Sequence, residues 1–184
     1  MKKNIFIAIL FSIVALISFS SCESDRYEWK RGTLNLSTEF DEEPIYTDSH
    51  GGFSFWYDLR AEDIRGIDAR RLDIVSVESY SSEIFLFYGE LFRPGDRINI
   101  RLKADGVNNC ALRMRVVVMD NGSVEALVID EDYYLLKGFM ADMAYNLSRR
   151  GQLRFYIEGE LLDIFQPTSF DFEARNDFDF EIRY

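Results

Sequence analysis

The chain is poor in the side chains that carry most metal and nucleophile chemistry. Its 184 residues include one histidine, His50, and two cysteines, Cys22 and Cys110. A zinc site draws three or four ligands, mostly from Cys and His, and this chain cannot supply them. His50 lies in Asp48-Ser49-His50-Gly51-Gly52, where a lone histidine reads as a solvated turn residue. Positive charge is also scarce. The 21 Lys and Arg stand against 32 Asp and Glu, for a formal net charge of −11. Nucleic-acid phosphates repel such a chain, and no basic cluster compensates, so no nucleic-acid partner is expected. There is no nucleophile elbow, P-loop, dinucleotide fingerprint or EF-hand loop. No cofactor and no metal site are assigned. Internal repeats and low-complexity segments are also missing.

Carboxylates are what the chain has in excess. Asp41-Glu42-Glu43 and Asp130-Glu131-Asp132 carry oxygens that suit Ca²⁺, although acidic loops are ordinarily just solvated. Asp120-Asn121-Gly122 is too short for a calcium loop and is explained by a turn. A pair of carboxyls can hydrolyse a glycoside, but their separation in space is not written in the sequence. A hydrolase is therefore the third of three functional readings.

The first 22 residues are the most specific stretch. Lys2 and Lys3 precede an apolar run over 5–19, broken only by Ser12 and Ser18. The run is shorter than the roughly 20 residues of a membrane span and has the n-region, h-region and small-residue order of a secretory signal. Ser20-Ser21-Cys22 then resembles the lipobox of bacterial lipoproteins. In that family the cysteine thiol takes a diacylglycerol and a peptidase cuts just before it. The resemblance implies a signal peptide over 1–21, with Cys22 as lipid-attachment site and first mature residue. It implies export across the inner membrane and a lipid anchor in a Gram-negative cell envelope, at the outer membrane, on its periplasmic or surface face. Glu23 and Asp25 resemble the acidic stretches that route some such lipoproteins to the surface. Each buried CH₂ adds about 0.8 kcal/mol, so two or more acyl chains anchor stably. The resemblance covers these residues alone and implies no fold for the rest.

Loss of Lys2 and Lys3 with the signal takes the formal charge to −13. The acyl group, not the protein surface, is then the anchor. Cys110 becomes the sole free thiol, which excludes an intramolecular disulfide. A catalytic thiol needs a partner base; the plainer reading is a small residue near the start of a strand.

Residues 22–32 read as a lipidated tether carrying Tyr27 and Trp29, and 33–184 as a single domain. The period there is two. Leu34, Leu36 and Phe40 alternate with polar residues, as do Phe53, Phe55, Tyr57 and Leu59. Ile98, Ile100 and Leu102 oppose Arg97, Asn99, Arg101 and Lys103; Leu153, Phe155 and Ile157 oppose Arg154, Tyr156 and Glu158. This is the mark of strands with one buried face. Further strands are expected over 72–79, 112–119 and 124–129, and over 84–88, which is apolar on both faces and so central. Asn121-Gly122 predicts a type I′ hairpin turn, and Arg93-Pro94-Gly95-Asp96 a type II turn. Residues 134–150 break the pattern: Leu136, Phe139, Met140, Met143, Ala144 and Leu147 follow helical spacing, with Gly151 as terminator. The expected fold is all-β, an antiparallel β-sandwich with one inserted amphipathic helix; a closed barrel uses the same alternation.

Two residue-level expectations follow. If Phe53, Phe55, Tyr57 and Leu59 face the core, Trp56 points outward on a polar face, where it suits stacking on a sugar ring or anchoring a partner. At the C-terminus, Phe170 and Phe172, then Phe178, Phe180, Ile182 and Tyr184, alternate with acidic residues. Two strands joined by a hairpin at Ala174-Arg175-Asn176-Asp177 would set carboxylate beside carboxylate. A basic strand face (Arg97, Arg101 and Lys103; Arg113 and Arg115; or Arg154) is expected beside them. The competing account is a cation held by Asp171, Glu173, Asp179 and Glu181. The leading functional reading is a non-enzymatic envelope module, anchored in the membrane by lipid, that binds a glycan or a protein. The alternative is a structural or assembly subunit of an envelope complex.

Overall fold

A computed structural model describes residues 26–38, 44–87 and 89–184. The signal segment, Cys22, Phe40, the Asp41-Glu42-Glu43 group and Tyr88 lie outside the described residues. The strands are β1 Tyr27–Thr33, β2 Leu36–Ser37, β3 Ile45–Tyr46, β4 Gly52–Arg60, β5 Asp73–Phe87, β6 Arg97–Ala104, β7 Cys110–Val118, β8 Val124–Val128, β9 Gln152–Leu161 and β10 Ser169–Arg183; the helix α1 is Tyr133–Arg150. They form one antiparallel sheet in the order β1-β10-β5-β8-β7-β6-β9-β4, with β2 and β3 also pairing to β10.

The sheet curls over on itself. β4 lies at one end of the strand order and β10 next to the other, yet their inner faces meet. Phe53 packs edge-on to Phe170 with ring centroids 4.9 Å apart, and Phe55 to Phe172 at 5.0 Å. The result is the expected all-β sandwich, with β1, β10 and β5 in one layer and β4, β9, β6 and β7 in the other. α1 plugs the space between them, packing on β5, β7 and β9. The six residues read as its apolar stripe are its buried ones, and Phe139 meets Phe155 of β9 at 6.0 Å. Gly151 ends the helix at φ 79°, and its N–H donates to the Leu147 carbonyl at 2.9 Å.

Several expectations need correction. Residues 27–32, read as tether, belong to β1, paired with β10 from Tyr27↔Arg183 to Thr33↔Asp177. The strands expected over 72–79 and 84–88 are one strand, β5. Two register shifts against β10 leave Tyr80 and Val75 as extra residues, and each flips which face the next side chains take. That parity change looks like a break in the sequence. The 84–87 stretch is central, between β10 and β8.

The C-terminal hairpin does not form either. Ala174 and Asn176 continue the inward alternation of Phe172 and Phe178, and both are buried. Asn176 resembles a turn residue but is held in β10: its side-chain NH₂ donates to the Leu34 carbonyl at 2.8 Å, and its backbone N–H to Asn35 Oδ1 at 3.2 Å. β10 neighbours β1 and β5, so none of the basic strands β6, β7 and β9 lies beside it. Charge is offset by other cations: Arg31 of β1 reaches Asp179 at 3.4 Å, and Arg175 of β10 itself reaches Glu173 at 2.7 Å. Asp171 and Glu181 stand ten residues apart on one strand, about 33 Å. The four carboxylates proposed for a cation therefore do not converge.

The β7–β8 hairpin pairs Val118 with Val124, and Met119 N–H donates to the Ser123 carbonyl. That leaves a three-residue loop ending on Gly122 at φ 84° rather than the two-residue type I′ turn. The Arg93–Asp96 turn has the expected Asp96 N–H to Arg93 carbonyl bond at 3.0 Å, with Gly95 at φ 101°.

Candidate functional site

The layer of β4, β9, β6 and β7 turns its polar side chains outward in rows set by strand register. Trp56 stands opposite Tyr156, and Tyr156 opposite Lys103. The next row runs Ser54, Glu158, Arg101 and Ala111. As the alternation predicted, Phe53 and Leu59 are buried while Trp56, three residues from either end of that inner set, is 52% exposed.

Trp56 is braced from one side. The Arg154 guanidinium lies over its ring at 4.1 Å and also grips Asp58 through two bonds of 2.6 and 2.9 Å. The bidentate pair holds the Asp58 carboxyl below the ordinary carboxylate range and fixes the guanidinium against the indole. On its other flank Trp56 borders a depression of about 590 Å³ with Asn35, Ser37, Glu62 and Arg65. A second depression, about 560 Å³, crosses β9, β6 and β7 and is lined by Asn99, Arg101, Arg113, Glu158 and Glu160. Lys103 holds both Glu158 oxygens at 2.6 and 2.7 Å, and Asn99 donates to Glu160 at 3.2 Å. Arg101 is exposed and makes no ion pair among the described residues. Tyr46 is exposed at the margin, where it shares a shallow concavity with Ser54 and Glu158. This face offers one large aromatic ring and, beside it, donors and acceptors in register. It can stack on an apolar ring face and hydrogen-bond hydroxyls.

Trp56 was legible by parity, and so was Tyr156, which falls on the polar side of its strand. Tyr46 was not legible, because a two-residue strand has no period to read. The remaining candidates have structural jobs. His50 sits in an exposed turn closed by Asp48, whose Oδ1 accepts from the His50 and Gly52 N–H groups at 2.7 and 2.9 Å. Cys110 opens β7; burial, then the nearby Asp132 charge, push its thiol up to about 11. It is protonated at neutral pH and is no nucleophile.

Asp132, at the head of α1, is 6% exposed. Both its oxygens are taken by Arg113, at 2.7 Å from the backbone N–H and 3.0 and 2.8 Å from the guanidinium. Asp132 thus ties α1 to β7 rather than opening to a cation, while Asp130 and Glu131 are exposed. Among the described residues, no three His, Cys, Asp or Glu side chains cluster to hold a metal.

Every described carboxyl with a resolved shift moves downward: Asp48, Asp58, Asp132 and Asp163. A glycosidase general acid needs the opposite shift. Asp163 is drawn down to about 2 by the Arg97 guanidinium and then by the Arg97 N–H. A carboxyl depressed in the folded state stabilises it above the unfolded pKa and loses that contribution as pH falls through the folded one. Thermal melts are therefore expected to be level at neutral pH and to fall from about pH 4 downward. Asp163→Asn should melt below the wild type at pH 7, and the gap should close towards pH 2. A gap that stays constant with pH would contradict the Arg97–Asp163 contribution.

No family model and no curated protein matches the chain. It aligns with solved structures of desmodium yellow mottle tymovirus, at 6% identity and TM-score 0.31, over 88% of this chain and 90% of that one. The decameric BFDV capsid protein aligns at 6% identity and TM-score 0.34, over 84% and 99%. TmCBM61, solved in complex with β-1,4-galactotriose, aligns at 11% identity and TM-score 0.26, over 88% and 90%. Likenesses this slight carry no conclusion about what this chain binds.

Proposed function

We propose that this protein is a non-enzymatic module, anchored in the cell envelope through lipidated Cys22, that binds a glycan across the outer face of β4, β9, β6 and β7. The observation that carries the reading is Trp56. A large indole stays half-exposed on a polar face, braced by Arg154, with Tyr156 opposite it and hydrogen-bonding groups in the adjoining rows. A rigid aromatic beside fixed donors and acceptors suits a sugar, whose ring has an apolar face and a polar rim. The anchor rests on the signal segment and Ser20-Ser21-Cys22.

Native electrophoresis through gels that contain galactan, xylan, mannan or dextran tests the glycan reading. The wild type should be retarded in at least one gel. Trp56→Ala should weaken that retention roughly 30-fold, the size of a hot-spot loss near 2 kcal/mol. No retardation in any gel, or equal retardation of both proteins, would overturn it.

A second reading, an assembly subunit of an envelope complex, draws on Tyr134 and Leu135 at the head of α1 and on Phe165, all exposed. Its partner would be a protein that covers exposed apolar side chains such as these.

A further inference from the structure

The aromatic residues of β1 are not on the Trp56 face. Tyr27 is 53% exposed and Trp29 49%. Tyr184, 58% exposed, is held at the same end, because its N–H donates to the Arg26 carbonyl at 2.9 Å. β1 is an edge strand, and among the described residues its pairing beyond β10 is an isolated bridge from Thr33 to Arg65. Three large amphipathic rings therefore flank this edge from its two faces: Tyr27 and Trp29 share one with Arg31, and Tyr184 lies on the other, where Lys30 Nζ is 5.4 Å from its ring centre.

Charge along this edge is mixed: residues 26–33 carry Arg26, Lys30 and Arg31 against Glu28, their β10 partners over 177–183 carry Asp177, Asp179 and Glu181 against Arg183, and Glu23 and Asp25 stand between Cys22 and Arg26 in the sequence. Four of the nearby carboxylates are engaged: Glu28 with Lys30 at 3.8 Å, Asp179 with Arg31 at 3.4 Å, Asp73 with Arg183 at 2.6 Å, and Glu181 with the Ser76 hydroxyl at 2.9 Å. Arg26 makes no side-chain ion pair among the described residues. Cys22 lies four residues before Arg26. At about 3.3–3.6 Å per residue, a lipid on Cys22 holds Arg26 within roughly 14 Å of the bilayer surface.

We infer that the β1 edge is a membrane seat: Tyr27, Trp29 and Tyr184 enter the headgroup layer of the bilayer that holds the lipid, and Arg26 meets its phosphates. The occupant is the phospholipid surface. Trp and Tyr favour that layer because one end of each ring is apolar and the other polar. The domain would then stand on the membrane in one orientation. The inference rests on the lipid-anchor reading of Cys22 and is independent of glycan binding.

The chain has two tryptophans, Trp29 and Trp56, so each single variant reports on one of them. Lipidated full-length protein is reconstituted into phosphatidylcholine vesicles with and without brominated acyl chains. In Trp56→Phe, bromine should quench Trp29 about twofold; in Trp29→Phe, Trp56 emission should barely change, since only the seat residue reaches lipid. Flotation of the wild type and Cys22→Ser with the vesicles supplies the other arm. If wild type floats, Cys22→Ser does not, and Trp29 is unquenched, the seat is wrong and the anchor stands. If the wild type fails to float, the anchor is wrong and the seat falls with it. If Trp29 emission in Cys22→Ser shifts with protein concentration and no vesicles, the edge pairs with a second copy, which also overturns the seat.

Discussion

Gly159→Val is expected to lower the stability of the fold by about 3 kcal/mol or more, roughly 6–12 °C in Tm. Gly159 lies in β9 between β4 and β6. A Cβ there would meet the Phe53 ring and come within 2.6 Å of the Asn99 carbonyl oxygen. The Phe53 ring has little freedom, since Phe170 packs against it at 4.9 Å, and the Asn99 carbonyl belongs to the β6 backbone. Relief requires β4 and β6 to shift, and those strands carry the Trp56 face. Gly138 supplies the contrast. Nothing lies within 4 Å of its Cβ position, and it sits inside α1. Gly138→Ala should stabilise by about 0.5–1 kcal/mol, because glycine loses more backbone freedom in a helix than alanine does. Denaturant melts of the two variants should move in opposite directions; a neutral Gly159→Val would contradict the packing of β4 on β10.

Phe172→Ala is expected to cost about 3–5 kcal/mol, the range for a fully buried phenylalanine. Phe172 has no exposed surface and joins the two layers, with Phe55 at 5.0 Å and Tyr57 at 6.0 Å. Those two residues flank Trp56 on β4. The substitution should therefore loosen the β4 edge as well as lower Tm, and faster amide exchange at 55–57 than in β6 would report it. A loss below about 1 kcal/mol would mean that the layers do not meet as described.

The two predictions depend on features of unequal visibility in the sequence. Half-buried strands such as β4, β6 and β9 were legible, because one solvated face imposes a period of two. α1 was legible for the same reason at a period of 3.6, and its six stripe residues are its buried ones. β1 was not legible. As an edge strand it buries only Gly32, so Tyr27–Thr33 shows no apolar alternation. Its pairing comes from β10 backbone groups, which leave no trace in side-chain choice. β5 was misread because its bulges reverse the facing of residues on either side of Tyr80. At β10, Asn176 resembled a turn residue because a buried, bonded asparagine and a turn asparagine are the same letter. In the site, Trp56 and Tyr156 followed from parity alone. That Lys103 is tied to Glu158 while Arg101 is not depends on geometry between strands, which no single strand records.

The glycan reading stands or falls on where a sugar touches the protein. The most direct measurement is a ¹H–¹⁵N NMR titration with the polysaccharide that retards the protein in gels. Trp29 and Trp56 give the two indole N–H signals of the chain. The account predicts movement of the Trp56 indole and of the backbone amides of Tyr156, Lys103 and Arg101, with the Trp29 indole unmoved. Perturbation confined to β1 and β10, or an unmoved Trp56 indole at saturating polysaccharide, would contradict it.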